Sequence, residues 1–386
     1  MTDEASKRRL RICLVGPAYP YRGGISHYNT VLAQKLSCSH DVYSINFKRL
    51  YPDFLFPGRT QYDESGEALS VPSERLIDSV NPISWVRAGF HIASLGCDVV
   101  IFQWWHPFFA PAYFKISAIL RVFSKAKIIF LCHNVIPHEH SLIDRVFLSL
   151  AFTLPHGFLV QSREDEENLR RLRKGAVVSF HPHPIYDFFN RGEVTQSEAR
   201  ERIGAGRDEI ILLFFGYIRP YKGLKVLLRA MPRIREKIDA RLFVVGEFYE
   251  DRAPYVELID ELGIGNYVEL VDRYVPNEEV EPFFVASDLV VLPYLSATQS
   301  GIVQVAMAFD KPVVVTDVGG LPDVVADGKT GFVVPAGDDT ALADAVTRFF
   351  EEGWGERMAR CFPEEKTRFL WEHLISDLER LIERIR

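Results

Sequence analysis

One repeating alternation constrains this chain more than any other feature: a short, almost wholly apolar run, a break of Gly, Pro or Asn, then a longer amphipathic stretch. RICLVGPA from Arg11, DVYSINF from Asp41, DVVIFQWW from Asp98, KIIFLCHNV from Lys127 and GFLVQS from Gly157 form a first series. Helical stretches fall near residues 28–36, 112–123 and 143–150. Runs apolar on both faces and joined by helices imply parallel strands covered on both sides. The rhythm breaks at HPHPIYDFFN, and residues 181–207 read as a linker rich in Pro and aromatics. It restarts with EIILLFF (Glu209), ARLFVVG (Ala240), YVELVD (Tyr267), DLVVLPY (Asp288), PVVVT (Pro312) and GFVVP (Gly331). Helices near 224–237, 255–262, 278–286, 302–309 and 340–352 fill the gaps. A last helix over about 364–386 places Phe369, Leu374, Leu378 and Leu381 on one face. The pattern predicts an α/β chain of two doubly wound units.

Charge divides along the same line. Residues 1–190 hold 21 Lys and Arg against 17 Asp and Glu, and residues 191–386 hold 24 against 35, for a chain total of −7. That balance argues against a nucleic-acid partner, which usually demands a strong basic excess. The five cysteines are widely spaced without a C-x-x-C, so neither a disulfide framework nor a zinc site is expected, and a reducing cytoplasm fits. The charged N-terminus runs straight into a strand, unlike a secretory leader. No apolar run approaches the roughly 20 residues that span a bilayer.

In open parallel sheets, ligands bind beyond the carboxyl ends of the strands. The first such exit, GPAYPYRGGISHYN, carries Gly23 and Gly24 before a helix, where the backbone can approach an anion closely; a tight turn is the plainer alternative. It is neither a G-x-G-x-x-G nor a P-loop. The second, CHNVIPHEH, puts His133 at a strand end, followed by His138 and His140. Their spacing is unfamiliar for zinc, so His133 is read as a hydrogen-bonding or proton-donating residue, against an ordinary structural histidine. The third, FGYIRPYKG, sets Arg219 and Lys222 beside Gly216 and Gly223, a pairing suited to a diphosphate; a solvated basic turn is the plainer alternative. In the fourth, Thr298, Ser300 and Gly301 precede an apolar helix as an N-cap and anion site, and Gly319 and Gly320 follow the next strand. Together the exits suggest a phosphate-bearing ligand in a cleft between two units.

The order GG…HN…R-x-x-KG…SGIVQVAMAFDKPVVVTDVGGLPDVV…GKTGFVVPAGD resembles glycosyltransferase family 4, retaining enzymes of the GT-B fold. The resemblance runs from Arg11 to about Phe350 and is strongest from Phe214 to Asp338. It implies two Rossmann-like domains facing across a cleft: residues 1–185 on the acceptor side, and 186–363 holding a nucleotide-diphosphate sugar, UDP- or GDP-linked. The final helix, about 364–386, would pack back on the first domain. The resemblance further implies that Arg219 and Lys222 hold the diphosphate and stabilise the leaving group. Gly24, with Gly23, would approach from the opposite domain, and His133 would contact the sugar near the reacting carbon. Gly216 would border the donor, backbone groups of Arg273, Tyr274 and Val275 would read the base, and the amides of Ser300, Gly301 and Ile302 would meet the donor.

Two positions depart from the family pattern. Its Glu-x₇-Glu falls on Ala297 and Val305, and the usual Arg after the first glycine is displaced, with Tyr217 there and Arg219 two residues on. Gln304 and Glu247 are the polar candidates to take over ribose anchoring. Without carboxylates at 297 and 305, a covalent intermediate lacks an evident nucleophile, and same-face displacement fits better. The resemblance thus implies a metal-independent hexosyltransferase of polysaccharide or glycoconjugate synthesis with a glycan or lipid-linked acceptor. No cofactor beyond the donor is expected. The alternatives are a non-catalytic GT-B protein that binds sugar nucleotides and a GT-B epimerase. Finally, WWHPFFAPAYFKISAILRVFSKAK from Trp104 combines aromatics with Lys115, Arg121, Lys125 and Lys127. It reads either as an ordinary amphipathic helix or as a peripheral contact with the inner face of a membrane.

Overall fold

The computed structural model describes residues 8–56, 58–136 and 142–386; His138 and His140 lie outside the described residues. The first unit is a seven-stranded sheet of order β3-β2-β1-β4-β5-β6-β7. Its strands are β1 (Arg11–Val15), β2 (Asp41–Arg49), β3 (Glu74–Asp78), β4 (Val99–Trp104), β5 (Lys127–Cys132), β6 (Gly157–Val160) and β7 (Val177–Phe180). Every pairing is parallel, as hydrogen-bonded runs joined by crossover helices require. The crossovers are α1 (Gly24–Ser37), α2 (Pro82–Ser94), α3 (Ala110–Phe123), α4 (Leu142–Ala151) and α5 (Arg163–Leu172).

The second unit is a six-stranded parallel sheet, order β10-β9-β8-β11-β12-β13. It comprises β8 (Ile210–Phe215), β9 (Ala240–Val245), β10 (Val268–Val271), β11 (Leu289–Leu292), β12 (Val313–Thr316) and β13 (Gly331–Val334). The helices here are α6 (Gln196–Arg202), α7 (Leu224–Arg235), α8 (Ala253–Glu261), α9 (Asn277–Ala286), α10 (Gly301–Ala308), α11 (Leu321–Val324) and α12 (Asp339–Glu351). All four residues of β11 and of β12 are buried, which explains their uninterrupted apolar sequence. Two such units facing across a cleft make a GT-B fold.

Several local expectations are corrected. Strands β3 and β7 escaped the pattern because both are sheet edges: ERLID is largely polar and VVSF is only four residues long. Helices α2 and α5 were likewise unread. The segment 181–207 is not a bare linker. It contains a 3₁₀ turn, Asp187–Phe189, and α6, which Thr195 and Glu198 start with reciprocal capping bonds. The terminal helix is shorter than expected. A short helix at Phe362–Glu365 and a 3₁₀ turn at Lys366–Phe369 come first, Leu370 is extended, and the helix proper is Trp371–Ile385. Its Leu374, Leu378 and Leu381 are buried, and it packs on β6, β7 and α1 of the first unit. His181 and His40 of that unit meet its Asp377 and Glu379 at 2.7 and 3.2 Å.

Candidate active site

Strand exits from both sheets converge on one cavity of about 450 Å³. From the first unit it receives Gly23 and Gly24 after β1, Trp105 after β4, and His133 and Asn134 after β5. From the second come Gly216, Tyr217 and Lys222 after β8, Glu247 after β9, Arg273, Tyr274 and Val275 after β10, and residues 297–302 after β11. Of the donor-site residues that the resemblance implies, all but Arg219 line it, while Gly223, Gly319, Gly320 and Gln304 lie outside the wall. The Arg219 guanidinium instead lies 4.9 Å from the Tyr249 ring centroid, close enough for its charge to act on Lys222.

Lys222 is the most unusual residue in the wall. The 3₁₀ turn Pro220–Lys222 and a left-handed Gly223 (φ 69°) aim its side chain inward, where it is 7 % exposed. A Cβ on Gly223 would stand 1.9 Å from the Pro293 carbonyl oxygen, so only glycine permits this turn. Among the described residues, the ammonium has neither a hydrogen bond nor a carboxylate. Its nearest compensation is the Tyr294 ring, 5.4 Å away. Burial, and then the Arg219 charge, push its pKa down to about 8. A buried lysine without a counter-ion is a site prepared for an anion.

Facing it is the N-terminus of α10. Ser300 holds the N-cap position, but its side chain makes no capping bond; its hydroxyl meets the Tyr294 hydroxyl at 3.2 Å. This corrects the expected Ser cap and leaves the first-turn amides of the helix without it, a donor set complementary to negative charge. Gly301 lies close under the Tyr186 ring, where a Cβ would approach Cε2 to 3.0 Å. On the opposite wall, Gly23 (φ 106°) forms the N-cap of α1 and lets the chain turn at the cavity edge.

His133 is buried against the Tyr28 ring at 4.7 Å, and its Nε2 contacts the Gln103 carbonyl oxygen at 2.8 Å. Gln103 donates in turn to Asn29, so the network assigns the proton of His133 to Nε2. Desolvation, with the neighbouring His183, pushes the His133 pKa down to about 3, and the ring is neutral at ordinary pH. Gln299 of the second unit donates to the His133 carbonyl at 3.0 Å and to Gln161 at 2.8 Å, tying the two walls together.

Three site residues were not found from the sequence. His183 and Tyr186, in the supposed linker, line the cavity, and the Tyr186 hydroxyl donates to the Gly24 carbonyl at 3.0 Å. Arg22 forms an ion pair with Glu247 across the cleft; both side chains are 2 % exposed. The Arg22 guanidinium also sits 4.6 Å from the Tyr274 ring centroid. Both oxygens of Glu247 are engaged, one by Arg22 and the other by the Arg59 amide, so Glu247 is committed to joining the units. The segment around it continues the crossing: Asn277 N–H donates to Ser65 Oγ at 3.0 Å, and Gly66 N–H to Glu278 at 2.8 Å. Arg22 stands in the loop after β1, and that strand exit is the one signal that could have found it. His183 and Tyr186 had none.

Ala297 and Val305 do line the cavity, so the family's two carboxylate positions are apolar in space as in sequence. Gln304 is fully buried and lies outside the cavity wall. Among the described residues, no group of three or more His, Cys, Asp or Glu is placed to hold a metal ion.

Comparison with known proteins agrees with this geometry. The chain is 33% identical over 206 residues to D-inositol 3-phosphate glycosyltransferase of Nocardioides sp., a match covering 50% of this chain and 45% of that protein. It is 32% identical over 159 residues to an uncharacterized glycosyltransferase of Methanocaldococcus jannaschii, covering 41% and 40%. The chain thus matches less than half the length of these curated relatives. Among solved structures, sucrose-phosphate synthase from Thermosynechococcus elongatus superposes with a TM-score of 0.75 at 19% identity, covering 98% of this chain and 99% of that one. Anabaena HepE in complex with UDP-glucose superposes at 0.74 and 17% identity, with 98% and 99% covered. Residues 209–352 match the family described as Glycosyl transferases group 1, and the chain resembles glycosyltransferases of the GT-B fold.

Proposed function

We propose that this protein is a retaining glycosyltransferase that moves a hexose-type sugar from a nucleotide-diphosphate donor to a glycan or lipid-linked acceptor, without a metal or a further cofactor. The observation that carries the reading is Lys222, a buried ammonium that has no counter-ion among the described residues, opposite the amide N-terminus of α10 in an interdomain cavity. A diphosphate supplies the missing negative charge to both. The curated relatives are glycosyltransferases by name, and one structural neighbour was solved with UDP-glucose, which supports the same donor class.

In this reading the bond between the anomeric carbon and the diphosphate oxygen breaks first. The acceptor oxygen then bonds to the same face of that carbon, and its proton passes to the departing diphosphate. Lys222 and the α10 amides hold the charge that develops on the leaving group, with the Arg219 field behind them. Neutral His133 offers the sugar a hydrogen-bonding ring without competing for the diphosphate. The one carboxylate among the described wall residues, Glu247, is tied to Arg22 and Arg59, which disfavours a covalent glycosyl intermediate.

The test is turnover of UDP-, GDP- and ADP-sugars with the anomeric configuration of the product read by NMR. Retained configuration, lost in Lys222→Met, is the expected result. Nucleotide binding without transfer or hydrolysis of any donor would instead identify a sugar-nucleotide-binding protein, the reading that apolar Ala297 and Val305 favour. Conversion of a donor into its epimer without an acceptor would identify an epimerase.

A further inference from the structure

Helices α2, α3 and α4 follow parallel strands β3, β4 and β5 and share one face of the first sheet, and none of the described residues covers the apolar side chains on that face. Ile83 is 64%, Val122 73%, Phe123 60% and Val146 66% exposed, and the rings of Phe90 and Phe123 pack together at 5.1 Å on the outer surface. Between the helices runs a groove of about 480 Å³ with an almost wholly hydrocarbon wall, formed by Ile83, Val86, Pro111, Phe114, Phe147 and Leu150. A soluble surface seldom gathers so many large apolar side chains without a partner.

Charge decides which partner. Neither α2 nor α3 contains an acidic residue, whereas Arg87, Lys115, Arg121 and Lys125 are exposed on or beside them. This stands out in a chain whose net charge is −7. A protein-binding face usually carries a rim of both signs around its apolar centre. Acidic groups are few on this side: Glu74 pairs with His91 of α2, and the sequence of α4 contains Asp144. A face of aromatic and aliphatic side chains with cations in excess matches the headgroup region of an anionic leaflet: the apolar groups enter the acyl boundary while the cations meet lipid phosphates.

Position adds a second argument. The N-terminal turns of α2 and α3 line the groove, and they lie at the strand-exit edge of the sheet. Trp105 lines the main cavity, and Pro107–Phe109 leads directly from it into α3. The groove therefore opens beside the cleft mouth.

We infer that the α2–α3–α4 face docks this protein onto an anionic membrane surface, holding the cleft mouth at the lipid boundary. This goes beyond sugar transfer and requires no donor. Within the proposed function it selects a lipid-linked acceptor over a soluble glycan.

The experiment is flotation of the full chain with vesicles of phosphatidylcholine alone or mixed with phosphatidylglycerol. The expected result is recovery with the mixed vesicles only, reduced by salt. Val122→Glu/Phe123→Glu and, separately, Lys115→Glu/Lys125→Glu should each lower the bound fraction by about tenfold or more. These residues are exposed and remote from the cavity, so unchanged circular dichroism and nucleotide affinity report intact variants. Absence of vesicle binding overturns the inference, as does binding that neither variant weakens. So does self-association of the wild type abolished by Val122→Glu/Phe123→Glu, which would mean that a second copy covers the face. Vesicle binding by a protein without transferase activity would leave this inference standing while the proposed function fails.

Discussion

Replacing Lys222 by methionine should stabilise the unliganded protein while removing its ability to bind a diphosphate. Burial and the Arg219 charge lower the lysine pKa from 10.5 to about 8. A difference of about 2.5 units corresponds to roughly 3 kcal/mol, the order of the penalty for keeping this ammonium charged in the folded state. The sign follows from proton linkage. Between pH 8 and 10.5 the unfolded chain holds a proton at Lys222 that the folded chain has released, so stability from this group rises with pH across that window. Below pH 8 the penalty is complete, and above 10.5 it has vanished. Methionine keeps most of the volume without the charge. In urea unfolding at pH 7, Lys222→Met should gain about 1–3 kcal/mol over wild type, the lower values reflecting loss of the Tyr294 contact, and the gain should shrink towards pH 10. Calorimetric titration with UDP, GDP and ADP should show the opposite trend. Loss of a charge-assisted contact weakens whichever nucleotide binds by roughly 10–100-fold, about 1.5–3 kcal/mol. For the wild type, affinity should fall above pH 8, because binding then requires proton uptake. A variant less stable than wild type at pH 7, or one with undiminished nucleotide affinity, would refute the reasoning.

Three further outcomes follow from the geometry. Arg22→Met or Glu247→Gln alone strands one buried charge and should cost roughly 3–5 kcal/mol, while the double variant loses much less than the sum; additive losses in a double-mutant cycle on urea unfolding would contradict the cross-cleft pair. Gly319 has φ 53°, and a Cβ there would stand 1.5 Å from the Ala297 carbonyl oxygen, whereas Gly328 at φ 72° faces open space. Gly319→Ala should therefore lose about 3 kcal/mol or more by thermal or urea unfolding and Gly328→Ala only about 1, and equal losses would count against the close approach. His133, held neutral down to about pH 3, ceases to favour the fold as pH falls from its unfolded value of 6.5 towards 3. His133→Gln should lower kcat/KM by one factor at every pH above 5, and an acid limb near pH 6.5 that vanished in this variant would show that the imidazole titrates.

The second-unit wall of the cavity was legible because its features are local. A glycine turn, two cations and a helix start succeed one another after β8, and a second helix start follows β11, so strand exits alone identified Lys222, Ser300 and Gly301. Arg219 shows the limit: proximity in sequence placed it beside Lys222, but its side chain turns onto Tyr249 and leaves the cavity wall to its neighbour. Edge strands β3 and β7 were illegible because half-exposed edges lack the apolar run that marks a central strand. The segment from His181 looked like a connection because its prolines and aromatics have no period. In space those aromatics form a wall, with Tyr186 bonded to Gly24 and packed against Gly301.

The sequence by itself determined the two parallel-sheet units, the order of their central strands along the chain, and the exits where a ligand would sit. Hydrophobic periodicity and turn chemistry are properties of neighbouring residues, and these features need nothing else. Tertiary structure alone decided that Arg22 reaches Glu247 across 225 positions of chain, that Tyr186 lines the cavity, and that large apolar side chains of α2, α3 and α4 stand exposed on one face. It also decided that Lys222 is buried and, among the described residues, has no counter-ion. Such facts depend on which surfaces meet when two units close on each other, and no local pattern of neighbouring residues records them.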